Sequence, residues 1–227
     1  MSNNLKLVIF DLDGTLVDAY KAVAGSLNYT LRELDLAPVD DDTIKRTVGW
    51  GDRHLVGTFV PRKDVDKAVS IFRRHHSRAL KEGTSFLPGA RLLIVDLKAK
   101  GFLLAVASNR PARFTQIILK HLGARDLFDH VLCGDKVASP KPAPDILEAI
   151  LKKFSLSPGQ ALYVGDMAID VEAGKRAGIR TVAVTTGSNT RKEVARLRPY
   201  KTVDHLAGVA LIVEKLSGAG RKTAGGK

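Results

Sequence analysis

The apolar pattern opens on four residues in a row, Leu7, Val8, Ile9 and Phe10, which stop abruptly at two carboxylates, Asp11 and Asp13. A short apolar run closed by charge is the mark of a strand covered on both faces. Gly14 then permits a turn at low steric cost, and Thr15 adds a hydroxyl beside the acids. Over 18–36 the apolar positions Ala22, Val23, Leu27, Leu31 and Leu34 fall near helical spacing, and Pro38 closes the helix they predict. Residues 39–80 keep helical spacing with no convincing strand, interrupted by G-W-G at 49–51 and by Pro61. They read as an inserted helical unit.

Residues 81–89, with Gly83, Thr84, Ser85, Pro88 and Gly89, have linker composition and mark a return crossing. Beyond them the texture becomes an alternation. Helices are predicted over 90–99, 111–121, 144–154, 169–177, 190–197 and 204–216, and strands over 102–107, 130–133, 161–164 and 181–184. Strands that alternate with helices build a parallel sheet with helices on both faces, a Rossmann-like α/β core. The expected organisation is therefore a core over 1–17 and 87–217 and an inserted all-α unit over 18–86. The Gly-rich, basic residues 218–227 are expected to be a disordered tail.

Composition narrows the picture modestly. With 227 residues and 44% apolar content the chain is long enough for a real core and is not of disordered type. Its net charge of +12 favours anionic partners: phosphorylated metabolites, nucleic acid or acidic surfaces. Much of that excess lies over 45–81, where ten Lys or Arg face three Asp. Cys133 is the one cysteine, and no basic segment leads into an apolar signal core. The expectation is a reducing, cytoplasmic location, with no apolar run of membrane-spanning length. Monomer and homodimer are both left open.

Parallel sheets bind ligands beyond the carboxyl ends of their strands, so the strand ends are where chemistry is sought. The first ends at Asp11 and Asp13; the 102–107 strand ends at Ser108 and Asn109; the 161–164 strand ends in G-D-M-A-I-D, giving Asp166 and Asp170. Lys141 stands in S-P-K-P-A-P just before a helix. Two acids as close as Asp11 and Asp13 repel unless a cation, a shared proton or a substrate charge compensates, which asks for Mg²⁺ or a similar hard metal. Each residue also has a plainer reading. Ser108 and Asn109 precede a helix with Pro111 in its first turn and could serve as caps. Lys141 could be a surface lysine in a stiff turn, and Asp170 a carboxylate favoured by a helix dipole. Their convergence on one crevice carries more weight than any single motif and fits a metal-assisted phosphoryl site.

In order and spacing these motifs resemble those of the haloacid dehalogenase superfamily of phosphotransferases. D-L-D-G-T stands as the first signature, Ser108 as the second, Lys141 as the third and G-D-M-A-I-D as the fourth. The helical insert resembles that family's four-helix cap, near the phosphoglycolate phosphatase and β-phosphoglucomutase branch. Asp13 argues against dehalogenation, because the dehalogenating members lack that second acid.

The resemblance implies that Asp11 attacks phosphorus to form an aspartyl-phosphate, and that Asp13 protonates the leaving oxygen and then deprotonates water. It implies Mg²⁺ held by an Asp11 carboxylate oxygen, the Asp13 backbone carbonyl and Asp166, with Asp170 on the metal or one layer out. Ser108 and the Asn109 backbone N–H would bind phosphoryl oxygens, with Thr15 placed in the same set. Lys141 would contact the phosphate and hold Asp11 ionised. Ala19 and Met167 stand where the family often has Ser, so Met167 offers the metal's surroundings no hydroxyl.

For the cap, the glycine-flanked loop carrying Trp50, Arg53 and His54 is expected to face the site, Arg53 suiting a substrate carboxylate. Trp50 as a packing anchor and Arg53 as a solvated charge stand beside that reading. His75 and His76 in R-R-H-H-S-R read as a polar helix face, and Cys133 as a small buried apolar residue.

The expected activity is Mg²⁺-dependent hydrolysis of a small phosphomonoester, with 2-phosphoglycolate the first candidate. A phosphosugar mutase, in which a sugar hydroxyl replaces water as acceptor, is the near alternative. A non-catalytic nucleic-acid module using the basic cap and Arg221, Lys222 and Lys227 is the distant one; the chain has no nucleic-acid motif and little aromatic interleaving to support it.

Overall fold

The fold is that of a computed structural model, which describes residues 4–218. Strands β1 (Leu7–Phe10), β2 (Val17–Asp18), β3 (Ser85–Phe86), β4 (Leu103–Ser108), β5 (His130–Cys133), β6 (Ala161–Gly165), β7 (Arg180–Val184) and β8 (Lys201–Val203) form two sheets. The main one runs β5-β4-β1-β6-β7-β8 and is parallel throughout. β1 lies at its middle, Phe10 opposite Val106 on one side and Val164 on the other. The chain builds outward from β1 first to β4 and β5, then crosses to β6, β7 and β8. That reversal opens a crevice at the carboxyl end of β1, where Asp11 and Asp13 begin.

The continuous apolar run of β1 is explained by what covers it. Val8 and Phe10 face a core shared with α5 (Ala90–Ala99), α6 (Ala112–His121) and α10 (Leu206–Ser217). Leu7 and Ile9 face a second core with α7 (Asp145–Phe154) and α8 (Ala168–Arg176), while α9 (Arg191–Arg196) packs Val194 on Ala183. All four β1 side chains are fully buried, each worth roughly 1.5–3 kcal/mol relative to exposure. The strand is thereby a rigid base for the acids that follow it.

Between β2 and β3 the chain forms α1 (Tyr20–Arg32), α2 (Asp41–Thr47), α3 (Asp52–Phe59) and α4 (Val65–Glu82), which share a separate apolar core around Leu27, Ile44, Val56 and Phe72. Asp40 starts α2 by accepting the Thr43 N–H at 2.9 Å. The helical insert of the sequence pattern is thus a four-helix unit.

Three short strands differ from the sequence expectation. β2 and β3 pair antiparallel where a helix start and a linker are predicted. Asp18 is a strand residue whose carboxylate accepts the Tyr20 N–H at 3.0 Å, so the helix begins two residues later. β8, three residues at the sheet edge, is too short to show alternation. Residues 219–227 of the expected tail lie outside the described residues; Gly218 ends α10 in a left-handed conformation. No helix among the described residues is long and apolar enough to cross a membrane.

Candidate active site

Asp11 leaves β1 with its N–H donated to the Val164 carbonyl at 2.8 Å, so the sheet ladder itself sets its position. Its Oδ1 accepts from Lys141 Nζ at 2.6 Å. The same ammonium donates to Asp170 Oδ1 at 2.7 Å and to Tyr163 Oη at 2.9 Å, which uses all three of its N–H bonds. Tyr163 in turn donates to Asp170 Oδ1 at 2.7 Å. Lys141 is buried, and its pKa balance follows: burial pushes it down, but the charges of Asp11 and Asp170 outweigh burial and the net shift is upward. The cation is therefore fixed in place and in charge.

Three buried acids, Asp11, Asp166 and Asp170, bring carboxylate oxygens within 4.8 Å of one another. Asp166 accepts the Thr15 hydroxyl at 3.1 Å and the Ser188 N–H at 3.0 Å. Asp170 Oδ2 accepts the Met167 N–H at 2.9 Å, at the start of α8. Burial first, and then the neighbouring acids, raise Asp166 well above the carboxylate range and push Asp11 up to about 7, although Lys141 opposes the rise in Asp11. One lysine does not balance three acids. The hydroxyls of Tyr20 and Ser188 are also buried without a hydrogen-bond partner among the described residues. A hard, oxygen-only donor set with surplus negative charge and spare hydroxyls fits a divalent cation of the Mg²⁺ type.

Asp13 is not part of that cluster. Its carboxylate turns to Arg110, whose Nε donates to Oδ2 and Nη2 to Oδ1, both at 2.7 Å. The expectation from sequence, that Asp13 meets the metal through its backbone carbonyl, does not involve this side chain. Arg110 Nη1 donates to His76 Nε2 at 2.8 Å, which places the His76 proton on Nδ1, 3.0 Å from Ser26 Oγ. Burial and the Arg110 charge lower His76 to about 2. The reading of His76 as part of a polar helix face is thus corrected: it is a buried, neutral ring between α1 and the site.

Ser108 closes β4, and its Oγ accepts the Arg110 N–H at 3.1 Å, leaving its own O–H to donate. The Asn109 side chain donates to the carbonyls of Gly49 at 3.0 Å and Lys141 at 2.9 Å, and accepts the Lys141 N–H at 2.9 Å. It ties the core to the helical unit as well as setting the Lys141 loop. Thr15 spends its hydroxyl on Asp166, which corrects its placement among the phosphate contacts.

These groups line a cavity of about 50 Å³, with Asp11, Asp13, Ser108 and Arg110 on the core side and Gly49, Leu55, Phe72 and His76 facing them. Trp50, Arg53 and His54 do not line it. Trp50 is 46% exposed and packs on His54, while Arg53 pairs with Asp66 on the outer surface at 2.6 Å. α3 begins at Asp52, so Asp52 and Leu55 share its inner face and the two residues between them turn out. Asp52 is held by Arg73 at 2.6 and 3.0 Å.

Arg110, Tyr163, His76 and Ser188 are members of the site that sequence reasoning missed. Ser188 was accessible to the strand-end argument, since T-T-G-S-N follows β7 directly, and Thr186 there donates to the Gly14 carbonyl at 2.6 Å. Arg110 stands two residues past the end of β4, just before Pro111.

A parallel sheet that gathers acids, a buried lysine and a serine at its carboxyl edge, beneath a four-helix unit, is the layout of a phosphoryl-transfer enzyme. The family model described as haloacid dehalogenase-like hydrolase matches residues 8–184, and the chain belongs to that family. It is 33% identical over 215 residues to a phosphoglycolate phosphatase of Psychrobacter arcticus, covering 90% of this chain and 94% of that one. A phosphoglycolate phosphatase of Colwellia psychrerythraea is 35% identical over 209 residues, covering 88% and 92%. The crystal structure of a predicted phosphoglycolate phosphatase from Haemophilus somnus superposes with a TM-score of 0.87 at 29% identity, covering 93% of this chain and 99% of that one.

Proposed function

We propose that this protein is a Mg²⁺-dependent cytoplasmic phosphatase that hydrolyses a small phosphorylated acid, 2-phosphoglycolate first, through a phosphorylated Asp11. The observation that carries this reading is the Asp11–Lys141 pair at 2.6 Å, in a small cavity with Ser108 and beside the buried acids Asp166 and Asp170. The names of the similar phosphatases supply the substrate.

Lys141 favours the ionised form of Asp11 against the burial that opposes it, and holds the carboxylate in one rotamer. The Asp11 carboxylate forms a bond to phosphorus while the ester P–O bond breaks, and the leaving oxygen takes a proton from Asp13. Asp13 then takes a proton from water, whose oxygen attacks phosphorus, releases inorganic phosphate and restores Asp11. The Ser108 hydroxyl donates to a phosphoryl oxygen throughout. Asp11, Asp166 and the Asp13 carbonyl would hold Mg²⁺, which would supply positive charge to offset the repulsion between a carboxylate nucleophile and an anionic phosphoryl group. Both Asp170 oxygens are already engaged, by Lys141 and by the Met167 N–H, so Asp170 holds Lys141 in place and adds negative charge beside the residues that would hold the metal. Residues 18–86 act as the cap, excluding bulk water from the phosphorylated intermediate.

The test is phosphate release from 2-phosphoglycolate, with and without Mg²⁺, beside sugar phosphates and nucleotides. Metal-dependent release from the two-carbon acid is expected. Isomerised sugar phosphate without free phosphate would replace this reading with a mutase.

A further inference from the structure

We propose that Arg110 is the specificity-determining residue for a substrate carboxylate, and that this carboxylate displaces Asp13 from the guanidinium. The inference rests on the phosphatase reading above. Among the described residues, Arg110 and Lys141 are the cationic side chains lining the cavity. Lys141 is committed to Asp11, Asp170 and Tyr163 at the phosphoryl-transfer end. Arg110 is thus the cation left for an anionic group elsewhere on the substrate.

Its geometry suits that task. One edge of the guanidinium is fixed by His76, itself packed on Phe72 with ring centroids 4.7 Å apart and on Phe114 at 5.0 Å. The Nε/Nη2 edge is thereby aimed at Asp13, which it grips with two parallel bonds of 2.7 Å. That fork matches any carboxylate.

The grip also has a cost for the reaction. Asp13 with both oxygens on Arg110 is not free to serve the leaving oxygen. A substrate carboxylate offers the buried guanidinium an equivalent partner, so the exchange keeps Arg110 paired while Asp13 is released. A phosphomonoester whose organic part is uncharged offers no replacement, and freeing Asp13 would strand a buried cation. Hydrolysis becomes conditional on a carboxylate close to the ester. The substrate class is short phosphomonoesters of hydroxy acids.

The test compares 2-phosphoglycolate with ethyl phosphate, which has the same chain without the carboxylate, using the Mg²⁺-loaded protein. The readout is the ratio of their kcat/KM values in wild type, Arg110→Gln and Arg110→Lys. Wild type should favour phosphoglycolate by ~10²-fold or more. Arg110→Gln should collapse that ratio, because it removes the carboxylate site and unclamps Asp13 together. Arg110→Lys keeps the charge but lacks the fork, and should lower the ratio by at least ~10-fold. It carries the test should the glutamine variant fail to fold. A ratio unchanged in the variants, with both substrates falling together, would overturn the inference. Equal use of both compounds by wild type would overturn it too, while leaving the phosphatase reading intact. Wild type that releases phosphate from neither would overturn the phosphoglycolate reading along with it.

Discussion

The Asn109 amide reaches out of the core and donates to the Gly49 carbonyl at 3.0 Å, holding the helical unit over the cavity. The same side chain brackets Lys141, donating to its carbonyl and accepting its N–H, each at 2.9 Å. Asn109→Ala removes all three bonds but keeps the backbone N–H that the phosphoryl group is proposed to use. Stability should fall by ~1–3 kcal/mol, since two bonds hold an otherwise irregular loop and their buried partners lose them. The kcat/KM should fall by ~10-fold or more as closure over the cavity weakens. Denaturant unfolding and steady-state kinetics measure the two effects, and a variant matching wild type in both would show that Asn109 does not couple the layers.

Asp11→Asn should lower kcat by at least ~10³-fold, because a carboxamide is no nucleophile and only positioning and electrostatics are left. The fold should survive. Asparagine has nearly the same shape, and the change removes one of three crowded buried acids. Circular dichroism and phosphate release check the two halves. Near-normal turnover would sink the aspartyl-phosphate route.

The chemistry of the core was legible where its groups stand at the end of an apolar run. Asp11 and Asp166 directly follow β1 and β6 and Ser108 closes β4, so the strand-end rule singles them out and their convergence gives them weight. Lys141 follows no such run, and only the spacing of the motifs drew it in. Arg110 was hidden by its setting: an arginine before a proline in a loop has the composition of a solvated turn, and only the fold shows that it is buried against Asp13 and His76. His76 was hidden by its neighbours, since R-R-H-H-S-R reads polar all round while one ring of α4 turns inward. Arg53 shows the converse. Its charge invited a role, yet the start of α3 at Asp52 sends it to solvent. Loops inside the helical unit place side chains by tertiary packing, and no local period records that.

Gly187 approaches Asp166, one of the acids proposed to hold the metal, so closely that a Cβ there would overlap Asp166 Oδ2. Gly187→Ala must move either Asp166 or the loop that donates the Ser188 N–H to it at 3.0 Å. Loss of such a supporting bond typically costs ~10–100-fold in metal affinity. The Mg²⁺ concentration giving half-maximal activity should rise by that factor, with a smaller change in kcat at saturating metal. A Mg²⁺ titration of phosphate release reads both quantities. An unchanged midpoint would show that Asp166 is not held in place by this loop, or does not hold the metal.

The raised pKa of Asp11 makes metal binding and stability depend on pH in a definite direction. Burial and the nearby acids lift this carboxyl from 3.8 to about 7 in the metal-free protein, and burial lifts Asp166 as well. Between those values the folded chain holds more protons than the unfolded one. Metal-free stability should therefore fall as pH rises from about 4 toward 7, the sign opposite to that of a salt-bridged acid. A divalent cation needs the ionised carboxylates and must expel those protons, so it binds more weakly at low pH. At free Mg²⁺ concentration c it stabilises the fold by RT ln(1 + c/Kd), so weaker binding at low pH means less stabilisation. The rise in Tm on adding Mg²⁺ should accordingly be larger at pH 8 than at pH 5.5, and calorimetry in buffers of different ionisation enthalpy should detect proton release near neutral pH. Asp11→Asn should flatten the pH dependence of the metal-free Tm. Equal Mg²⁺ shifts at both pH values, with no proton release, would show that the acid cluster is not the metal site.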